Sequence, residues 1–189
     1  VINTYNQDLI TQYGIVKVSI SESEMVDSFS QDGTKITQIQ SAKVTYSYGD
    51  RDGYHGILTG VEETQHGKTR STDYFENWTE TEVINKYEPN LIKGYGIVRV
   101  ETSESKLIDS YSQDGTKITQ TQSVIVGYRY GDKGDYHGIL TRVEETQHGI
   151  TKSTDYFDNW TETEVINTYN QDLITQYGIV KVATSESKI

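Results

Sequence analysis

The chain has 189 residues, no cysteine, a formal net charge of −11 and a hydrophobic fraction of 33% that includes 15 tyrosines. The lack of cysteine excludes a disulfide framework and thiolate metal sites. With no basic cluster, nucleic acid and anionic membrane surfaces are poor partners. Soluble domains are about 45–50% apolar, so this lean content favours thin modules over one large core.

Charged residues make up 24% of the chain, which argues against disorder. No apolar run approaches the roughly 18–20 residues of a membrane helix. The chain opens on Val1 with no signal segment and reads as a mature or excised fragment.

Val1-Ile2-Asn3 returns as Val83-Ile84-Asn85 and as Val165-Ile166-Asn167, a period of 82. By direct count, 57 of 82 positions agree between residues 1–82 and 83–164. Residues 165–189 match residues 1–25 at 21 positions. A fixed period of this length marks a tandem array of supersecondary units.

Along one copy the signals are those of β-structure. Asn6-Gln7-Asp8 reads as a loop, and its counterpart Glu88-Pro89-Asn90 holds the only proline of the chain. Tyr13 to Val18 is β-branched and reads as a strand. Ser21 to Asp27 is ambiguous and could form one helical turn. Met25 to Ser30 and Lys35 to Gln40 flank Asp32-Gly33, a hairpin signal.

Lys43 to Tyr48 alternates, with Val44, Tyr46 and Tyr48 on one face. Gly49 to Gly53 then forms a loop before the strand Gly56 to Glu63. Gln65-His66-Gly67 turns the chain into Thr69 to Phe75, and Trp78 to Tyr87 closes the copy. The expected fold is all-β: tandem 82-residue repeats of about six antiparallel strands, as small sandwich or barrel modules in a row. The boundaries that follow are 1–8 for a partial closing strand, 9–90 and 91–171 for two modules, and 172–189 for an opening strand of a third.

The most distinctive stretch is Asp73-Tyr74-Phe75-Glu76-Asn77-Trp78-Thr79, repeated from Asp155 to Thr161. It holds both tryptophans and the only Asn-x-Thr sequences. Asn77 and Asn159 are therefore candidate N-glycosylation sites. Strand alternation would place Phe75, Asn77 and Thr79 on one face, with Phe75 beside the first sugar.

The same residues could instead bind a free sugar. Ring faces stack on C–H groups while carboxylates and amides hold hydroxyls. The candidate set is Tyr54, His55, Asp73, Tyr74 and Trp78, with Tyr136, His137, Asp155, Tyr156 and Trp160. A third reading makes the tryptophans core packing.

His55, His66, His137 and His148 sit at turns without a third ligand at metal spacing. Asp50, Asp52, Asp132 and Asp135 do not complete a calcium loop. Glu62-Glu63 and Glu144-Glu145 are adjacent on strands and point to opposite faces, which is wrong for an acid/base pair. The sequence thus predicts a non-enzymatic extracellular structural protein without cofactor or metal, glycosylated and assembling head to tail into fibres. The alternative is a multivalent lectin with one weak site per repeat.

Overall fold

A computed structural model describes residues 1–25 and 27–189. The chain opens with β1 (Ile2–Tyr5), helix α1 (Gln7–Tyr13), β2 (Val18–Ser23), β3 (Ser28–Phe29) and β4 (Lys35–Gln40). The hairpin β5 (Ala42–Arg51) and β6 (Tyr54–Gln65) leads to β7 (Gly67–Thr72) and β8 (Trp78–Tyr87). Then come α2 (Pro89–Tyr95), β9 (Val100–Tyr111), β10 (Lys117–Gln122), β11 (Val124–Lys133), β12 (Tyr136–Gln147), β13 (Gly149–Thr154) and β14 (Trp160–Tyr169). Helix α3 (Gln171–Tyr177) and β15 (Val182–Lys188) complete the order.

Among the described residues the fold is all-β with three antiparallel sheets, none closed, and three short helices. One four-stranded sheet has the order β1-β2-β5-β6, and another has β10-β13-β14-β15. The seven-stranded sheet runs β12-β11-β9-β8-β7-β4-β3. Its centre is the pairing of β8 with β9, which extends from Trp78↔Tyr111 to Tyr87↔Val100. This sheet therefore draws strands from both sequence copies.

The three helices correct the sequence reading. Asn6 is not loop but an N-cap: its side chain accepts the N–H of Leu9 at 3.1 Å. Pro89 occupies the first turn of α2, where a missing N–H costs nothing. Gly14, Gly96 and Gly178 end the helices at φ 67–68, the left-handed conformation that a side chain disfavours. Tyr13 to Val18 is accordingly helix end, cap and linker, and strand begins only at Val18. The ambiguous Ser21 to Asp27 segment is strand as far as Ser23, while Val26 lies outside the described residues.

The hairpin at Asp32-Gly33 forms as expected, with Ser28↔Ile36 and Phe29↔Lys35 paired. Among the described residues, buried apolar side chains are few: Leu9, Leu91, Ile92, Val143 and Ile174. Four of these five lie on helices, so each short helix acts as a plug on the sheet beneath it. Leu9 packs over Gly56 and Leu91 over Gly138. The remaining cohesion comes from strand ladders and half-buried tyrosines such as Tyr48, whose hydroxyl donates to Val18 O at 2.7 Å.

Candidate functional site

β7 passes to β8 through the turn Asp73–Asn77. Asp73 N–H donates to Asn77 O at 2.9 Å, and Glu76 N–H donates to Asp73 O at 3.1 Å. Asp73 Oδ1 accepts from the N–H groups of Phe75 and Asn77, at 2.8 and 2.9 Å. Its Oδ2 accepts from Asn77 Nδ2 at 2.9 Å. The carboxylate thus organises the turn from inside, as short polar side chains do. Asp155 repeats all three bonds with Phe157 and Asn159.

Strand alternation consequently stops at Thr72, and the expected common face for Phe75, Asn77 and Thr79 is not formed. Tyr74 and Phe75 stand at the tip of the turn, exposed, with rings 5.5 Å apart and edge to face. Tyr156 and Phe157 do the same. The Asn159 amide, and the N–H groups of Asn159 and Phe157, hold the Asp155 carboxyl below its usual range.

The two copies of the turn differ in what they meet. Asn77 Oδ1 accepts from Gln113 N–H at 2.9 Å and from Ser112 Oγ at 3.2 Å, both in the β9–β10 turn. Trp78 lies between the Arg70 guanidinium, 4.1 Å from the ring centre, and the Tyr111 ring at 6.2 Å. Asn77, Trp78 and Tyr111 line an open groove of about 330 Å³ with Ser112, Asp114 and Thr116. Asn159 has only its bonds within the turn among the described residues. Trp160 keeps a cation above it, Lys152 Nζ at 4.5 Å, but is 61% exposed.

Tyr136 and His137 line a different groove, of about 940 Å³, with Arg99, Tyr128, Tyr130 and Tyr177. His137 stacks on Tyr95 at 3.7 Å, as His55 does on Tyr13 at 3.9 Å. His137 Nδ1 is 3.0 Å from Asp132, close but not aligned as a hydrogen bond; His55 is as close to Asp50. The ten sugar-site candidates therefore divide between turn and hairpin, and neither groove holds members of both groups.

Sequence reasoning missed Tyr111, Ser112 and Gln113, which complete the Trp78 site. Their signal was the register of β9 on β8, which spacing alone does not reveal. Among the described residues, no group of three or more His, Cys, Asp or Glu is arranged to hold a metal ion. Glu62 is exposed and Glu63 buried, on opposite faces of β6.

Comparison with known proteins finds no matching family model, no matching curated protein and no matching solved structure.

Proposed function

We propose that the chain is a non-enzymatic structural protein of the cell exterior, built from tandem 82-residue β-repeats that continue one another and assemble end to end. The observation that carries this reading is the β8–β9 junction. There the end of one sequence copy and the start of the next form a single ladder, locked by Asn77 on Ser112 and Gln113 and by Trp78 on Tyr111. A contact of this kind is heterologous: its two faces differ, so repeating it builds a row rather than a closed pair.

The glycan belongs to the same reading. Asn159 is exposed, and one of its two amide hydrogens is committed to Asp155. Asn77 is wedged into the junction. Secreted material should carry its glycan at Asn159 in preference to Asn77, read by peptide mapping after enzymatic deglycosylation.

Sedimentation of the 189-residue chain tests the assembly. Mass should rise with concentration above 21.4 kDa, and elongated particles should appear by electron microscopy. A chain that stays monomeric at every concentration overturns it.

The tyrosine-lined groove beside His137 favours a second reading, a repeated sugar-binding module. Glycan-array binding by unglycosylated protein, lost on Tyr136→Ala, supports that reading over the first.

A further inference from the structure

We infer that each sequence copy carries a shallow site for a quaternary ammonium cation at the tip of its aromatic turn. Tyr74 and Phe75 wall the site in the first copy, Tyr156 and Phe157 in the second, and Glu76 and Asp158 supply the charge. The inference goes beyond the structural reading and does not depend on end-to-end assembly.

The rings are held in place before any ligand arrives. Asp73 fixes the turn through its three bonds, so Tyr74 and Phe75 leave it at a set angle. Tyr74 also stands on the neighbouring β3–β4 turn, where a Cβ on Gly33 would lie 3.3 Å from Tyr74 Cβ. Gly115 and Tyr156 repeat that contact at 3.4 Å. In both copies the ring planes meet at 87° with centres 5.5 Å apart. Rings at right angles form a corner, and a cation seated there reaches both faces, as in the aromatic cages that bind methylated ammonium groups. The first-copy turn touches other turns on both sides, at Gly33 and at Gln113. Tyr74 and Phe75 are nevertheless 77% and 66% exposed.

The residue after each pair is acidic although the backbone disfavours it. Glu76 and Asp158 sit at φ 62 and 63, in the left-handed region. Glu76 N–H donates to the C=O of Asp73, the first residue of its turn, as Gly33 N–H does to Ser30 O in the turn beside it. That second turn uses glycine at the same position, with Gly33 at φ 85 and Gly115 at φ 82, the residue such a conformation favours. The two copies of the aromatic turn differ there in side-chain length and agree in charge. Both carboxylates are exposed, and neither forms an ion pair among the described residues.

The kind of cation follows from what surrounds the rings. The chain supplies its own cations to three other rings: Lys35 over Phe29, Arg70 over Trp78 and Lys152 over Trp160. Among the described residues none lies over the four rings of the turns. A primary ammonium or a guanidinium needs acceptors for its N–H groups, and the Asp73 and Asp155 carboxylates commit theirs inside the turn. A quaternary ammonium has no N–H to satisfy and needs only ring faces with a negative charge nearby.

Choline chloride, titrated into the full chain at constant ionic strength, should bind saturably, once per copy and with millimolar affinity, as read from the shifts of aromatic ring signals in NMR. Its neutral carbon analogue, neohexyl alcohol, should bind several-fold more weakly. Phosphorylcholine, whose phosphate the acidic turn repels, should also bind more weakly than choline. Phe75→Leu with Phe157→Leu, and Glu76→Gln with Asp158→Asn, should each weaken choline binding several-fold. Their urea midpoints should stay near wild type, because the altered side chains are exposed. Glu76→Gly should raise the urea midpoint by relieving the left-handed backbone, yet lose the first-copy site. Three results overturn the inference: no saturable binding of choline, equal binding of the neutral analogue, or undiminished binding in either double variant. Saturable binding by a chain that stays monomeric in sedimentation supports this site and overturns only the end-to-end reading.

Discussion

Glu63 on β6 accepts the backbone N–H of Asn85 on β8 through Oε2, at 2.7 Å, and so ties together two sheets that share no ladder. Its side chain is 2% exposed, and Oε1 lies 3.6 Å from His66 Nδ1, beyond a hydrogen bond. Glu145 repeats the arrangement with Asn167 on β14. A buried carboxylate thus does between sheets what a strand pair does within one.

Removing that acceptor leaves the part-buried N–H of Asn85 without this partner. Hydrogen bonds to charged groups contribute about 1.5–3 kcal/mol, so Glu63→Ala should lower stability by that order. Glu63→Gln keeps a carbonyl acceptor and should cost less. Urea unfolding midpoints separate the three proteins; equal midpoints for wild type and Glu63→Ala would refute the bridge.

A second contrast lies at the β6–β7 and β12–β13 corners. A Cβ on Gly149 would sit 2.5 Å from Val124 Cγ2, while one on Gly67 would sit 3.4 Å from Ala42 Cβ. Valine is stiff at χ1 and cannot swing clear. Gly149→Ala should therefore destabilise by about 1–3 kcal/mol, the usual cost of overpacking, and Gly67→Ala should be near neutral. The double change Gly149→Ala with Val124→Ala should recover much of the loss.

The two tryptophans should behave differently although their sequence surroundings are almost identical. Trp78 is sandwiched between Arg70 and Tyr111, whereas Trp160 has only Lys152. Trp78→Ala should lower stability by roughly 2–3 kcal/mol, below the ~3–5 of a fully buried aromatic. Trp160→Ala should cost under about 1 kcal/mol in the isolated chain, since surface changes are usually small. Equal losses in thermal or urea unfolding would refute the sandwich.

That difference also marks what the sequence could carry. The β-rich character, the Asp32-Gly33 hairpin and the opposite faces of Glu62 and Glu63 were legible, because alternation and turn chemistry are local. The helices were misread as loop and strand: Asn6, Pro89 and Gly14 carry cap chemistry, but a seven-residue helix is too short to raise an apolar period. The Asp73 turn was misread as strand because its aromatics have high β-propensity, while the carboxylate that folds it acts over four residues. The Asn77 lock lies 36 positions from Gln113 and depends on strand register, so no motif announces it.

The last prediction concerns pH, where the two limbs have different causes. On the acid side, Asp155 is held below its ordinary 3.8 by the Asn159 side chain and by N–H groups of its turn. The Ser30 hydroxyl and Thr34 N–H do the same for Asp32, and the Thr116 N–H and Ser112 hydroxyl for Asp114. A carboxyl with a depressed folded pKa stabilises the fold above its unfolded pKa and loses that contribution as pH falls through the folded value. Stability should thus hold down to about pH 4 and fall below it. On the alkaline side, burial, then Glu63 and Tyr46, push the Tyr87 hydroxyl up to about 12. The unfolded chain then loses this proton first, so the contribution is complete below about pH 10 and is lost as pH rises toward 12. Tyr87 donates no hydrogen bond among the described residues, so Tyr87→Phe should be near neutral at pH 7 and should flatten the alkaline fall. Urea midpoints across the pH range, with tyrosinate absorbance followed in parallel, check both limbs. An alkaline slope unchanged in Tyr87→Phe would assign that limb to other tyrosines.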